Sequence, residues 1–225
     1  MQLKGRTILI TGAGSGIGRA LAVASAKLGA RLLLVGRRLE KLEETRALLV
    51  SKEQGIVLAA DVTQAPDRQA IRQTISTEFS RLDVLINNAG VLSVGPMHDT
   101  GDDELQRLLA TNLLAPMALT RELLNLLRAS DAPRIVNVGS VFGDIGHPMF
   151  AAYSASKFGL RGFSDAMRRE LMAEGIAVTY VAPRATQTEA SHQFDHFLET
   201  FSMTVDSAEV AATQILRAIR QDARN

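Results

Sequence analysis

Along the chain, short runs of branched apolar residues alternate with longer stretches in which apolar positions recur every three or four residues. The short runs are "TILI" (7–10), "LLLV" (32–35), "IVLAA" (56–60), "VLI" (84–86), "IVNV" (135–138) and "VTYVA" (178–182). Their apolar character is nearly continuous, as in strands covered on both faces, and each is followed by a helical pattern. Helices are predicted over Gly16–Lys27, Leu39–Leu49, Pro66–Phe79, Asp102–Leu127, Ala152–Ala173 and Ser207–Arg220. Asp206, with Glu209 three residues on, has the spacing of an N-cap for the last of these. This pattern predicts a doubly wound α/β fold with a six-stranded parallel sheet and right-handed crossovers. The Thr186–Thr204 segment fits neither period and reads as a surface excursion carrying a short helix.

One position conflicts with its surroundings. In "NLLAPMALT" (112–120), Pro116 lies inside a strong helical pattern but has no N–H to give to the carbonyl of Asn112. Either the helix kinks there, or another group uses that carbonyl; the two are compatible.

At 225 residues and 46% hydrophobic content, the chain can bury the core of one large α/β domain, expected to span 1–225. Its formal net charge of +1 comes from well-mixed acids and bases, which argues against nucleic acid as a partner. The absence of cysteine excludes disulfides and thiolate chemistry. No apolar run approaches the roughly 20 residues of a membrane span. The start "MQLKGRTILITG" lacks the apolar core of a signal peptide, so a cytoplasmic protein is expected.

Chemistry is expected outside the carboxyl ends of the strands, where open α/β sheets bind ligands. There, "TGAGSGIGRA" leads from the first strand into the first helix, the place of a phosphate-binding turn, with glycines at Gly12, Gly16 and Gly18. About 20 residues further on, an acid would hold a ribose hydroxyl. Gly36, Arg37 and Arg38 stand there instead. Two guanidiniums can grip a 2′-phosphate, which predicts NADP(H); the alternative is a solvated pair offset by Glu40 and Glu43. The other strand ends carry Asp61-Val62, Asn87-Asn88-Ala89-Gly90 and Gly139-Ser140. In "YSASK", Tyr153 and Lys157 share one helical face, and an ammonium facing a phenol favours the phenolate. This is the requirement for a tyrosine acid/base.

Taken together, these motifs resemble the short-chain dehydrogenase/reductase family, with its Rossmann-like nucleotide-binding domain, over nearly the whole chain. The glycine motif corresponds to Thr11–Gly18, the adenine-pocket pair to Asp61 and Val62, and the N-N-A-G motif to Asn87–Gly90. The catalytic tetrad corresponds to Asn112, Ser140, Tyr153 and Lys157. The resemblance implies that Tyr153 exchanges a proton with the substrate oxygen and that Ser140 polarises that oxygen. Lys157 would lower the Tyr153 pKa and hold the nicotinamide ribose, and the Asn112 carbonyl would hold a water linking Lys157 to solvent. It further implies cofactor contacts from Gly12, Ser15, Gly16, Ile17, Gly18, Asn88, Ala89, Gly90, Pro183, Thr186 and Thr188.

The sequence departs from the family pattern in two places. Arg184 stands where a glycine follows the proline, so it strains the turn, points into the active-site mouth or faces solvent. No apolar run after "SAEVAATQILRAIR" supplies the usual seventh strand. Of the family's two common interfaces, the one using the long central helices remains available, and a homodimer or homotetramer is expected.

His192 and His196 have the spacing of a metal pair, but no third ligand is evident, and no metal is expected. With Phe194, Phe197 and Phe201 they read as a flap over the substrate. His147 lines the pocket or is a plain loop residue. The expected activity is carbonyl–alcohol interconversion on a small molecule whose apolar body meets Phe142, Met149 and Phe150. The alternatives are a 3-oxoacyl thioester reductase and a non-catalytic NADP(H)-binding sensor or scaffold.

Overall fold

The computed structural model describes residues 1–186 and 205–221. Strands β1 (Thr7–Thr11), β2 (Arg31–Gly36), β3 (Gly55–Ala59), β4 (Val84–Asn87), β5 (Arg134–Val138) and β6 (Ala177–Val181) form one sheet in the order β3-β2-β1-β4-β5-β6. Every pairing is parallel. The helices are α1 (Gly16–Lys27), α2 (Leu39–Ala47), α3 (Ala65–Glu78), α4 (Asp102–Leu109), α5 (Ala115–Arg128), α6 (Ala151–Glu170) and α7 (Ala208–Gln221).

The strand side chains show why the apolar runs are continuous. Ile8 and Ile10 of β1, Leu32 and Leu34 of β2, and Val84 and Ile86 of β4 pack on one face with Leu21 of α1 and Ile215 and Ile219 of α7. Their neighbours Leu9, Leu33 and Leu85 pack on the other face with Ile71 and Ile75 of α3 and Leu119 and Leu123 of α5. Residues two apart on a strand share a face, so with both faces buried the middle positions of β1, β2 and β4 are apolar throughout.

Two expectations change in detail. The long helix predicted over 102–127 is α4 and α5, joined by a π turn at Ala110–Leu114, with Pro116 inside the first turn of α5. A wide turn accommodates the donor that Pro116 lacks, so the chain continues without breaking. The last helix is capped by Ser207, whose hydroxyl accepts from the Val210 N–H (3.3 Å), one residue later than the Asp206 cap expected. Asp206 instead forms a bridge with Thr186, and its N–H donates to the Ala185 carbonyl (2.8 Å).

The sheet order reverses between β1 and β4, and a crevice opens at their carboxyl ends. That edge is stitched together by polar groups. The Thr11 hydroxyl accepts from the N–H groups of Asn88 and Ala89 (both 3.0 Å), and the Asn88 amide donates to the Thr11 carbonyl (2.9 Å). The threonine ending β1 and the asparagine that follows β4 thus fix the two sides of the crevice against each other.

Candidate active site

The crevice begins at the turn between β1 and α1. Gly12 (φ +67°) and Gly16 (φ +50°) lie in the left-handed region that glycine adopts without strain. Gly18 is demanded by contact: a Cβ there would lie 2.1 Å from the Gly12 carbonyl oxygen. Ser15 starts α1 in extended conformation, and its hydroxyl makes no capping bond. Behind the turn, Arg19 donates to the Gly14 carbonyl (2.6 Å), while Thr45 of α2 donates to the Ala13 carbonyl (3.0 Å). Neither Arg19 nor Thr45 is visible as a site residue in sequence, since each acts only through backbone that the fold brings beside it.

The cleft beside this turn holds about 550 Å³ and is lined by Gly12, Ser15, Arg37, Arg38, Asp61, Val62, Ala89 and Gly90, all expected at a cofactor. Gly18 and Asn88 support the turn from behind, and Ile17 packs towards the core. Lys41 and Arg107 also line the cleft. Their sequence context is that of any helix surface, so only the fold reveals them. Among the described residues Arg37 makes no ion pair, and Glu43 is engaged by Arg46 (2.8 Å) rather than by the arginine pair. Asp61 accepts from the N–H (2.9 Å) and hydroxyl (2.7 Å) of Thr63, which orders the turn after β3.

At the far end of the crevice, Ser140 follows β5 and caps the short turn Val141–Gly143, its hydroxyl accepting from the Phe142 N–H (3.2 Å). Tyr153 and Lys157 face it from the first turns of α6, and the Ser140 side chain stands close enough to the Tyr153 phenol to act on its titration. The Lys157 ammonium is buried, donates to the Val138 carbonyl (3.1 Å) and lies 5.7 Å from the centre of the Tyr153 ring. Asn112, buried in the π turn, uses its side-chain amide fully. It accepts from the Val91 N–H (2.8 Å) and donates to the Val91 carbonyl (2.8 Å) and to the Ser156 hydroxyl (3.1 Å). Ser156 in turn donates to the Tyr153 carbonyl (2.7 Å), so Asn112 is joined to the start of α6. The four tetrad positions are therefore brought together.

Their electrostatics differ from the sequence expectation. Burial pushes the Tyr153 phenol up to about 12, and the Ser140 hydroxyl beside it pulls the other way. Burial also draws the Lys157 ammonium down to about 8. At neutral pH the phenol is protonated and the ammonium is still charged, and desolvation is the largest influence on both groups. A neutral phenol beside a buried cation is a proton donor with a ready stabiliser for the anion it would leave.

A nicotinamide dinucleotide fits these residues. The Lys157 ammonium has three N–H donors and one protein acceptor, and the space in front of it is kept open by Gly90, whose Cβ would lie 3.6 Å from Nζ. The glycine turn at the start of α1 offers backbone N–H groups and a helix N-terminus to the pyrophosphate. An aromatic cluster reaches Tyr153 through Phe142, which meets the Tyr153 ring edge-on (6.3 Å), stacks on Phe150 (4.6 Å between centres) and lies 5.6 Å from His147. Met149, in the same loop, holds a left-handed φ of +70° and accepts from the Gly95 N–H (2.8 Å).

Beyond β6, Pro183 and Thr186 are half-buried, and the Thr186 hydroxyl donates to the Arg184 carbonyl (2.9 Å). Arg184 is exposed and lies outside the left-handed region, so an arginine is accepted there without backbone strain. Thr188 and the expected flap with His192, His196, Phe194, Phe197 and Phe201 lie outside the described residues. Among the described residues no cluster of His, Asp or Glu could hold a metal, and no helix is long and apolar enough to cross a membrane.

The profile of the short chain dehydrogenase family matches residues 6–198. The 3-oxoacyl-(acyl-carrier-protein) reductase of Salmonella typhimurium is 32% identical over 189 residues, 84% of this chain and 77% of that protein. An NADP-dependent 3-hydroxy acid dehydrogenase of Schizosaccharomyces pombe is 36% identical over 194 residues, 84% of this chain and 75% of that protein. Among solved structures, the 3-ketoacyl-(acyl-carrier-protein) reductase of Brucella melitensis complexed with NADH superimposes with a TM-score of 0.91 at 25% identity, covering 99% of this chain and 93% of that one.

Proposed function

The chain belongs to the short-chain dehydrogenase family of oxidoreductases, and from that premise we propose an NADP(H)-dependent enzyme that interconverts a carbonyl and an alcohol in a small molecule. The observation that carries this reading is the Ser140 side chain set beside the Tyr153 phenol, with the buried Lys157 ammonium 5.7 Å from the centre of the Tyr153 ring. Residues 1–225 act as one catalytic domain in the cytoplasm.

The bound nicotinamide supplies or takes up the hydride. Ser140 and Tyr153 donate hydrogen bonds to the substrate oxygen, and these strengthen as charge develops on it. Tyr153 then gives its proton to that oxygen, and the Lys157 ammonium stabilises the phenolate left behind. Lys157 and Gly90 hold the nicotinamide ribose, Gly12 and Ser15 the pyrophosphate, Asp61 and Val62 the adenine. Pro183, Thr186 and Thr188 complete the nicotinamide side. The π turn at Asn112 supports the view that its carbonyl accepts from a water leading to Lys157. Arg37 and Arg38, exposed at the end of β2 where an acid would serve NAD, favour the 2′-phosphate.

Phe142 against the Tyr153 ring, backed by Phe150, favours a substrate with an apolar body. Reduction of a 3-oxoacyl thioester is the second reading, favoured by the named activities of the relatives. Exposed Leu109, Leu114, Met117 and Phe158 on the α4–α5–α6 side support a homodimer or homotetramer through the long helices. The test is NADPH oxidation with a panel of ketones, aldehydes and 3-oxoacyl thioesters. Turnover that disappears in Tyr153→Phe while NADPH binding persists supports the enzyme. If wild type binds NADPH but turns over none of them, a non-catalytic sensor takes its place.

A further inference from the structure

The chain has two tyrosines, and both reach Ser140. Tyr153 meets its side chain. Tyr180, from β6 on the sheet edge, meets its backbone: the Tyr180 hydroxyl accepts from the Ser140 N–H (3.3 Å) and donates to the Ser140 carbonyl (3.2 Å). Ser140 has left the β5 ladder, whose last bond in this direction runs from the Gly139 N–H to the Val181 carbonyl (2.7 Å). Its own N–H therefore needs an acceptor other than a ladder carbonyl, and the phenol provides it.

The surrounding residues are shaped to this contact. A Cβ on Gly139 would lie 2.1 Å from Cζ of Tyr180, and a Cβ on Gly143 would lie 2.1 Å from its hydroxyl oxygen. The segment "GSVFG" (139–143) thus wraps the phenol at both glycines and places Ser140 between them. Gly143 is confined on its other side by the backbone of Lys157, 3.0 Å from the same notional Cβ. One aromatic side chain therefore packs against the segment that carries Ser140, and that segment in turn abuts the helix that carries Tyr153 and Lys157. The family resemblance gives no reason to single out this position, and the function proposed above makes no use of it.

We propose that Tyr180 is a positioning residue: by holding both backbone polar groups of Ser140, it fixes where the Ser140 hydroxyl stands relative to Tyr153. It is not among the substrate or cofactor contacts proposed above, and its effect on catalysis runs through Ser140. Its catalytic consequence rests on the function proposed above, while the clamp itself does not.

Tyr180→Phe keeps the ring and removes one oxygen. Two measurements then decide. Hydrogen exchange at the Ser140 amide, followed by NMR in the free protein, should accelerate about tenfold or more, while exchange at Ile135, Val136 and Asn137 in β5 stays within twofold. With a carbonyl substrate and NADPH, kcat should fall roughly tenfold, the scale of one hydrogen bond, with KM for NADPH unchanged. In a Ser140→Ala background, Tyr180→Phe should add no further loss, because a residue that acts through Ser140 has nothing left to position. Ser140 exchange and kcat both within twofold of wild type would overturn the proposal, as would losses that multiply in the double variant. If wild type turns over no carbonyl, the proposed function fails on its own terms, and Ser140 exchange alone decides whether the clamp exists.

Discussion

Replacing Lys157 with methionine should make the protein more stable and inactive at once. The Lys157 side chain is 5% exposed, and its ammonium has the Val138 carbonyl as its hydrogen-bond partner (3.1 Å). Burial lowers its pKa from 10.5 to about 8. At about 1.4 kcal/mol per unit, holding the charged form in the folded protein costs on the order of 3 kcal/mol. Methionine has a similar length and no charge; it recovers that cost but leaves the Val138 carbonyl without its donor, a loss of about 1 kcal/mol. The net gain near pH 7 is about 2 kcal/mol, or roughly 4–8 °C in Tm for a chain of this size. The sign with pH follows from linkage. Below about pH 8 the lysine is charged in both folded and unfolded chains, and wild type bears the full cost. Between 8 and 10.5 the unfolded chain holds the proton and the folded one does not, so wild-type stability rises with pH and the gap closes. Tyr153 titrates in both proteins and cancels in the difference. Urea unfolding of both proteins from pH 6.5 to 10.5 measures it. A variant no more stable than wild type at pH 7, or a gap independent of pH, would refute the assignment of Lys157 as a desolvated cation.

Three further outcomes test other parts of the site. Arg37→Ala with Arg38→Ala should weaken NADPH by at least tenfold and leave NADH nearly unchanged in fluorescence titration, since each charge-assisted bond contributes about 1.5–3 kcal/mol; equal losses for both cofactors would sink the 2′-phosphate reading. Gly18→Ala should destabilise by roughly 1–3 kcal/mol through overpacking and abolish detectable cofactor binding, because its Cβ would meet the Gly12 carbonyl oxygen at 2.1 Å; calorimetry with and without NADPH reads both. Pro116→Ala restores a helical donor, so it should raise stability by up to about 1 kcal/mol and slow turnover several-fold; unchanged turnover would mean that the π turn serves only the helix.

What could be read from the sequence, and what could not, divides along a physical line. The sheet, its parallel sense and the glycine turn follow from local periodicity and from backbone shapes that few residues tolerate, so Ile8–Ile10 and Gly12–Gly18 announce themselves. The separation of α4 from α5 was signalled by Pro116, although the sequence could not say that a π turn would absorb the missing donor. The shift of Tyr153 to about 12 was the reverse of what the Tyr153–Lys157 spacing suggested. Spacing gives the attraction between two groups, whereas burial, here the larger effect, depends on everything packed around them. Tyr180 escaped for the same reason: in "VTYVAP" it looks like one more strand residue, and its meaning lies in two glycines some 40 positions earlier. Gly139 and Gly143 are therefore the sequence signal that could have found it. Neither turns through a left-handed conformation, so their small size points to a neighbour from elsewhere in the chain that fills the place of a side chain.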